Sequence, residues 1–356
     1  MSLLDPAPDF IMGNTRLRAR RPALLTPDRL AGLAGRDLPG LVADLRATAY
    51  GPHLPADSRG SAPSAEPTRT AVIAAIGNRR REALRGVRAV YTGRAGEVIG
   101  VLLAGYDLAD TLTLLRGAAH DLPDEQVLGA LHCVGALDLT AARHIVAEEA
   151  DAVVSRLARA QLPDPQTARA AASAWDRYLL HSDLAELEMA VARAATARWE
   201  HLLGQVGRAA APLRRHLAAG RDAANLTAAL RLRRAGIDPA TAAQRLLAPG
   251  QIPERALLAI TAGADAAAYA PPPWRAAVGR FAATGDLTGL APELDDQITR
   301  AAVAGFRAGD PLGVDIPIAY LAAVEAEARD LRRTAVLAPT PRHATAPGPT
   351  APAVAA

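Results

Sequence analysis

Apolar residues in this chain recur three and four positions apart, and no stretch sustains the every-other-residue alternation of a half-buried strand. β-branched residues rarely fall in runs, so the pattern predicts an almost entirely helical, all-α fold. The stretch RDAANLTAALR at 221–231 is typical: Leu226 and Leu230 stand one turn apart and share a face with Ala223 and Arg233. Thr26-Pro27-Asp28 reads as a helix start with Pro at the first helical position. A long helical pattern runs from about 69 to 103. Residues 51–69 are rich in Pro, Ser and Gly and predict a loop. Residues 338–356, APTPRHATAPGPTAPAVAA, hold too little bulky apolar surface to offset ordering and predict a disordered tail.

The phrase at 221–231 has an echo 115 residues earlier, YDLADTLTLLR at 106–116. At that offset Asp107 matches Asp222, Asp110 matches Asn225, and Leu115-Arg116 matches Leu230-Arg231. The register continues through Leu131 and Leu246, Gly135 and Gly250, and Ile145 and Ile260. HSDLAELE (181–188) resembles TGDLTGLA (284–291) at a shorter offset. Fainter copies stand at DLPGLVADLR (37–46) and EAEARDLRR (325–333), the latter with Glu327, Asp330 and Leu331 in the places of Asp, Asn and Leu. Three helical-bundle units are therefore expected at 1–105, 106–220 and 221–337, followed by the tail. Within the phrase, Asp222 is expected to cap its helix, Asn225 to bond across to a neighbour, and Arg231 to reach a carboxylate bidentately. Asp107, Asp110 and Arg116 take these roles in the earlier copy. Gly135 and Gly250 are expected as helix C-caps at positive φ.

Composition narrows the chemistry. The chain has 356 residues, half of them apolar, so it can bury a sizeable core. Lys is absent and all forty basic residues are Arg, interspersed with 37 acids for a net charge of +3. No nucleic-acid footprint stands out, and no P-loop or Schiff-base lysine is possible. The single Cys133 excludes an intrachain disulfide and is expected as a small buried hydrophobe. The His residues never pair at i,i+4, no C-x-x-C occurs, and no metal or cofactor is expected. The longest apolar stretch, VIGVLLAGY (98–106), falls short of the roughly 20 residues of a membrane span. Glu325 and Glu327 make a poor catalytic pair and are expected to form ion pairs with Arg329 and Arg332 on a solvated helix.

The ends of the chain carry a family resemblance. Residues 310–337, DPLGVDIPIAYLAAVEAEARDLRRTAVL, resemble the C-terminal signature of the C/AC39 family of V/A-type ATPase (ATP synthase) subunits. The signature is carried by Gly313, Val314, Pro317, Ala319, Tyr320, Glu325, Glu327, Arg329, Leu331 and Arg332, with Asp330 where the family usually has Asn. Asp110 departs in the same way, since an acid accepts but cannot donate as an amide does. NTRLRARRPALLTPDRLAGL (14–33) and RATAYGPHL (46–54) resemble the family's opening motifs. The resemblance implies a funnel of three similar helical bundles and a non-catalytic rotor adaptor. Such an adaptor links central-stalk subunits of the D and F type to the membrane rotor ring, transmits torque, needs no cofactor, and sits peripherally on the cytoplasmic face of the plasma membrane. The competing expectation is an unrelated all-helical scaffold or regulatory protein.

Overall fold

The computed structural model describes residues 8–55, 68–147 and 150–339, and no strand occurs among them. The helices in chain order are α1 (Ile11–Arg20), α2 (Pro27–Leu33), α3 (Leu38–Arg46), α4 (Arg69–Arg88), α5 (Gly93–Ala119), α6 (Asp124–Ala130), α7 (Leu139–Val146), α8 (Ala150–Ala160) and α9 (Pro165–His181). They continue as α10 (Leu184–Val206), α11 (Ala211–Arg234), α12 (Pro239–Ala243), α13 (Glu254–Thr261), α14 (Ala266–Tyr269), α15 (Arg275–Thr284), α16 (Leu290–Ala308) and α17 (Asp315–Leu337). Residues 56–67 of the expected loop and 340–356 of the expected tail lie outside the described residues.

Short polar side chains set many of the helix starts. Thr26, Asp37, Asp138, Asp164, Asp183, Asp238 and Asp265 each accept a hydrogen bond from an N–H of the first turn. Pro follows several of them in that turn, where its missing N–H has no intrahelical partner to lose. The single helix expected over 69–103 is two helices. The chain breaks after Arg88 and restarts at Gly93, whose φ of +55° suits glycine.

The chain divides into two compact units, Met1–Pro22 with Arg81–Ala326 and Ala23–Arg80 with Glu327–Ala356. The smaller unit is built from both ends of the sequence. Leu41, Leu45 and Tyr50 pack with Val72 and Ile76 of α4 and with Ala328, Leu331 and Ala335 of α17. Arg69 donates to the carbonyls of Ala335 and Ala338 at 3.1 and 3.0 Å, closing the end of α17 where helix carbonyls lack partners.

Two hydrophobic clusters stand out in the larger unit. One gathers Leu114 and Leu115 of α5, Ile145, Leu157, Trp175 of α9 and Val191 of α10. The other gathers Leu226 and Leu230 of α11, Leu257 and Ile260 of α13, Val278 of α15 and Leu294 of α16. Arg193 of α10 bridges them by donating to the carbonyls of Ala243 and Leu246, at 3.0 and 2.7 Å. In the same unit the side-chain amide of Asn14 donates to the carbonyls of Pro311 and Gly313, while its own oxygen accepts from the Tyr91 hydroxyl. By length and composition α5 would suffice to cross a membrane. Within this unit it is a core helix, because Asp107 and Asp110 on it are buried and hydrogen-bonded to the chain around them.

Candidate functional site

The repeated phrase proves to be a device for holding non-helical chain inside the protein. Asp222 does not cap its helix: it lies in the interior of α11, buried, with its carboxylate turned away from its own backbone. It accepts from the N–H groups of Gly250, Gln251 and Ile252 at 3.1, 2.7 and 3.2 Å. Asp107 does the same from the interior of α5, accepting from Leu137 N–H at 3.1 Å and also from Ala136. The donors Leu137 and Ile252 each stand 30 residues beyond their acid. Each also immediately precedes the residue that starts the next short helix, α7 or α13. A mid-helix carboxylate thus replaces the backbone partners that the loop lacks.

Gly135 and Gly250 owe their identity to the same carboxylates. Neither has positive φ, so the expected C-cap role does not apply. A Cβ on Gly135 would collide with the Asp107 carboxyl group, and one on Gly250 with Asp222 and the Ala218 carbonyl. The motif needs glycine for close approach.

Three residues on, the two copies differ in wiring. Asn225 accepts from Leu247 N–H at 2.8 Å and donates to the Leu247 carbonyl at 3.1 Å, so one amide satisfies both groups of one residue. Asp110 accepts twice, from His132 and Cys133 N–H at 2.6 and 2.8 Å. The donors it cannot supply come from α4: Arg81 and Arg85 bond the carbonyls of His132 and Cys133 at 3.0 and 2.9 Å. Two guanidinium groups also balance the extra negative charge, which explains why an acid is tolerated at an amide position. Cys133 is fully buried among these groups, and burial followed by the Asp110 charge pushes its thiol up to about 11.

In the smaller unit Glu327 of α17 takes the carboxylate role. It is buried rather than solvated, contrary to the ion-paired surface position expected from the sequence. Its oxygens accept from the Tyr50 hydroxyl at 2.6 Å and from Leu25 N–H, and Leu25 likewise precedes a helix start, at Thr26. Burial pushes Asp107, Asp222 and Glu327 above the usual carboxylate range, opposed by the N–H donors that favour the charged form. Among the other signature residues, Glu325 accepts from the Tyr106 hydroxyl at 2.6 Å, and Pro317 lies in the first turn of α17. Tyr320 is buried, whereas Arg329 and Asp330 are exposed. Sequence reasoning missed the Tyr50–Glu327 and Asn14–Tyr91 bonds. The only trace of the first was that Tyr50 and Glu327 both belong to motifs of the resemblance.

The arginine that closes each phrase also behaves differently in the two copies. Arg116 makes a bidentate pair with Glu188 of α10, at 2.5 and 2.9 Å. Arg231 was expected to do likewise, yet among the described residues its side chain has no hydrogen-bond or ion-pair partner. It borders an open, largely apolar cleft of about 610 Å³ that also involves Leu112, Met189, Ala228 and Ala291. Among the described residues no cluster of metal-ligating side chains occurs. The repeated carboxylates are occupied as hydrogen-bond acceptors for backbone, so what they do in this structure is hold loops in place.

Compared with curated proteins, the chain shows no significant match. The profile of the family described as ATP synthase (C/AC39) subunit matches residues 13–336. That span takes in Asn14, Tyr50, both copies of the phrase and the Glu327 helix. With the match extending over nearly all of the described residues, the chain belongs to the ATP synthase (C/AC39) subunit family.

Proposed function

We propose that this protein is a non-catalytic rotor adaptor. It couples the D- and F-type central-stalk subunits to the membrane rotor ring and carries torque between them, on the cytoplasmic face of the membrane. The family match over residues 13–336 carries the reading. The repeated ties are consistent with it, because a part that transmits torque must resist shear. A carboxylate gripping two or three N–H groups from inside a helix stiffens the loops that helical hydrogen bonding leaves free. In this reading the three expected units, 1–105, 106–220 and 221–337, act together as the socket for the stalk.

Deleting the gene tests the proposal. Membranes from the deletion strain are expected to retain ATP hydrolysis by the catalytic head while losing ion transport driven by ATP. Normal coupling without the adaptor would refute the role, as would failure of the tagged chain to copurify with stalk and ring.

A further inference from the structure

The two copies of the phrase differ at one ion pair, and the difference leaves a cation unmatched beside a cleft. In the earlier copy the carboxylate that meets Arg116 is Glu188, the last residue of HSDLAELE. In the later copy the aligned segment TGDLTGLA ends in Ala291. Both segments follow a left-handed C-cap, Ser182 or Gly285, and bury the matching leucine, Leu187 or Leu290, although α10 starts at Leu184 and α16 only at Leu290. Arg231, the counterpart of Arg116, therefore lines a cleft together with Ala291, where its copy meets a carboxylate.

The acids nearby are engaged or peripheral. Glu188 is held by Arg116, Asp183 by Arg245 at 3.1 Å, and Asp286 accepts from Thr288 N–H at 3.0 Å. Asp295, on the cleft's margin, is exposed and has an interaction of its own. Small and apolar residues, Ala185, Met189, Ala192 and Ala224 among them, surround the rest of the opening.

We propose that Arg231 receives a carboxylate side chain from a partner protein, in place of the one that the chain supplies to Arg116, with apolar side chains of the same partner segment filling the cleft. The internal copy states the required chemistry: an acid presented from an apolar helix face, as Glu188 is presented by α10. The inference rests on the adaptor reading in taking the partner from the stalk and ring subunits of the same rotary complex.

The test measures binding of the full chain to its complex prepared without this protein. Arg231→Gln is expected to weaken binding about tenfold, the size of one charge-assisted hydrogen-bond pair. The double variant Arg116→Gln with Glu188→Gln, which removes the internal pair without freeing its acid into the cleft, is expected to leave binding within about twofold. Ala291→Glu, which restores the residue found at 188, is expected to weaken binding as Arg231→Gln does, because the guanidinium is then engaged within the chain. Equal binding by wild type and Arg231→Gln, each verified as folded by circular dichroism, overturns the inference and leaves the adaptor reading intact. Failure of the wild-type chain to bind overturns both.

Discussion

The fit between Gly135 and Asp107 makes the sharpest test of the repeated tie. Gly135 lies outside the left-handed region, so Gly135→Ala brings no backbone strain of its own. The three atoms nearest to a new Cβ all belong to the Asp107 carboxyl group, and that group is fixed by its bond from Leu137 N–H at 3.1 Å. The substitution must either overpack the site, at about 1–3 kcal/mol, or push the carboxylate off its donor, at about 1.5–3 kcal/mol. By either route a cost of about 2–3 kcal/mol is expected. Asp107→Ala leaves the buried Leu137 N–H without an acceptor and is expected to cost about 2–4 kcal/mol. In the double variant the added methyl enters space that the carboxylate has vacated. Its cost is therefore expected to stay within about 0.5 kcal/mol of that of Asp107→Ala alone, a coupling of about 2–3 kcal/mol. Urea unfolding followed by circular dichroism measures the cycle, and hydrogen exchange at Ala136 and Leu137 reports the loop itself. The parallel cycle at Gly250 and Asp222 is expected to couple less, because the Ala218 carbonyl still obstructs a Cβ after the acid is removed. Additive costs at Gly135 and Asp107, or a Gly135→Ala variant as stable as wild type, would refute the argument.

Three further outcomes are expected. Tyr50→Phe removes the hydroxyl donor to Glu327 and is expected to lower stability by about 1–2 kcal/mol, read by urea unfolding; Glu327 keeps Leu25 N–H, so the loss stays below that of Glu327→Ala. Cys133, pushed up to about 11 by burial, is expected to resist iodoacetamide at about pH 8 in the native chain and to react after unfolding, as mass spectrometry can show. Burial holds His216, beside Pro212 and Trp274, below the ordinary histidine range, so the native state binds its proton less readily than the unfolded chain does. Its contribution to stability is present above about pH 6.5 and is lost as pH falls from there through the depressed native value. The thermal midpoint of wild type is therefore expected to drop more steeply between about pH 7 and about pH 5 than that of His216→Gln.

Much of the helical layout was legible in the sequence because it is decided locally. Thr26 accepts from Arg29 N–H as its position before Pro27 predicted, and the Leu226–Leu230 face enters a core as its spacing required. The break between α4 and α5 was not legible, since Tyr91 is held by Asn14 from far along the chain. The roles of the acids were misread for a related reason. An Asp ahead of an apolar run satisfies the rule for a helix cap, and the pattern contains nothing to say that the helix began eleven residues earlier, as α11 does before Asp222. Glu327 was misjudged because charge and helical spacing suggested a solvated face, whereas Tyr50 and Leu25 enclose it.

The sequence by itself determined the helical class, helix starts such as that at Thr26, and the 115-residue register, because periodicity, capping and self-comparison depend only on residues near one another or on the chain set against itself. Tertiary structure alone decided what the matched residues do. Asp107 and Asp222 became internal anchors because loops 30 residues away return with unpaired N–H groups. Arg81 and Arg85 made an acid workable where its copy has an amide, by supplying the donors that an acid lacks. Arg116 and Arg231 carry the same letter and the same register, yet one is paired with Glu188 of a neighbouring helix while the other borders a cleft that Ala291 also lines.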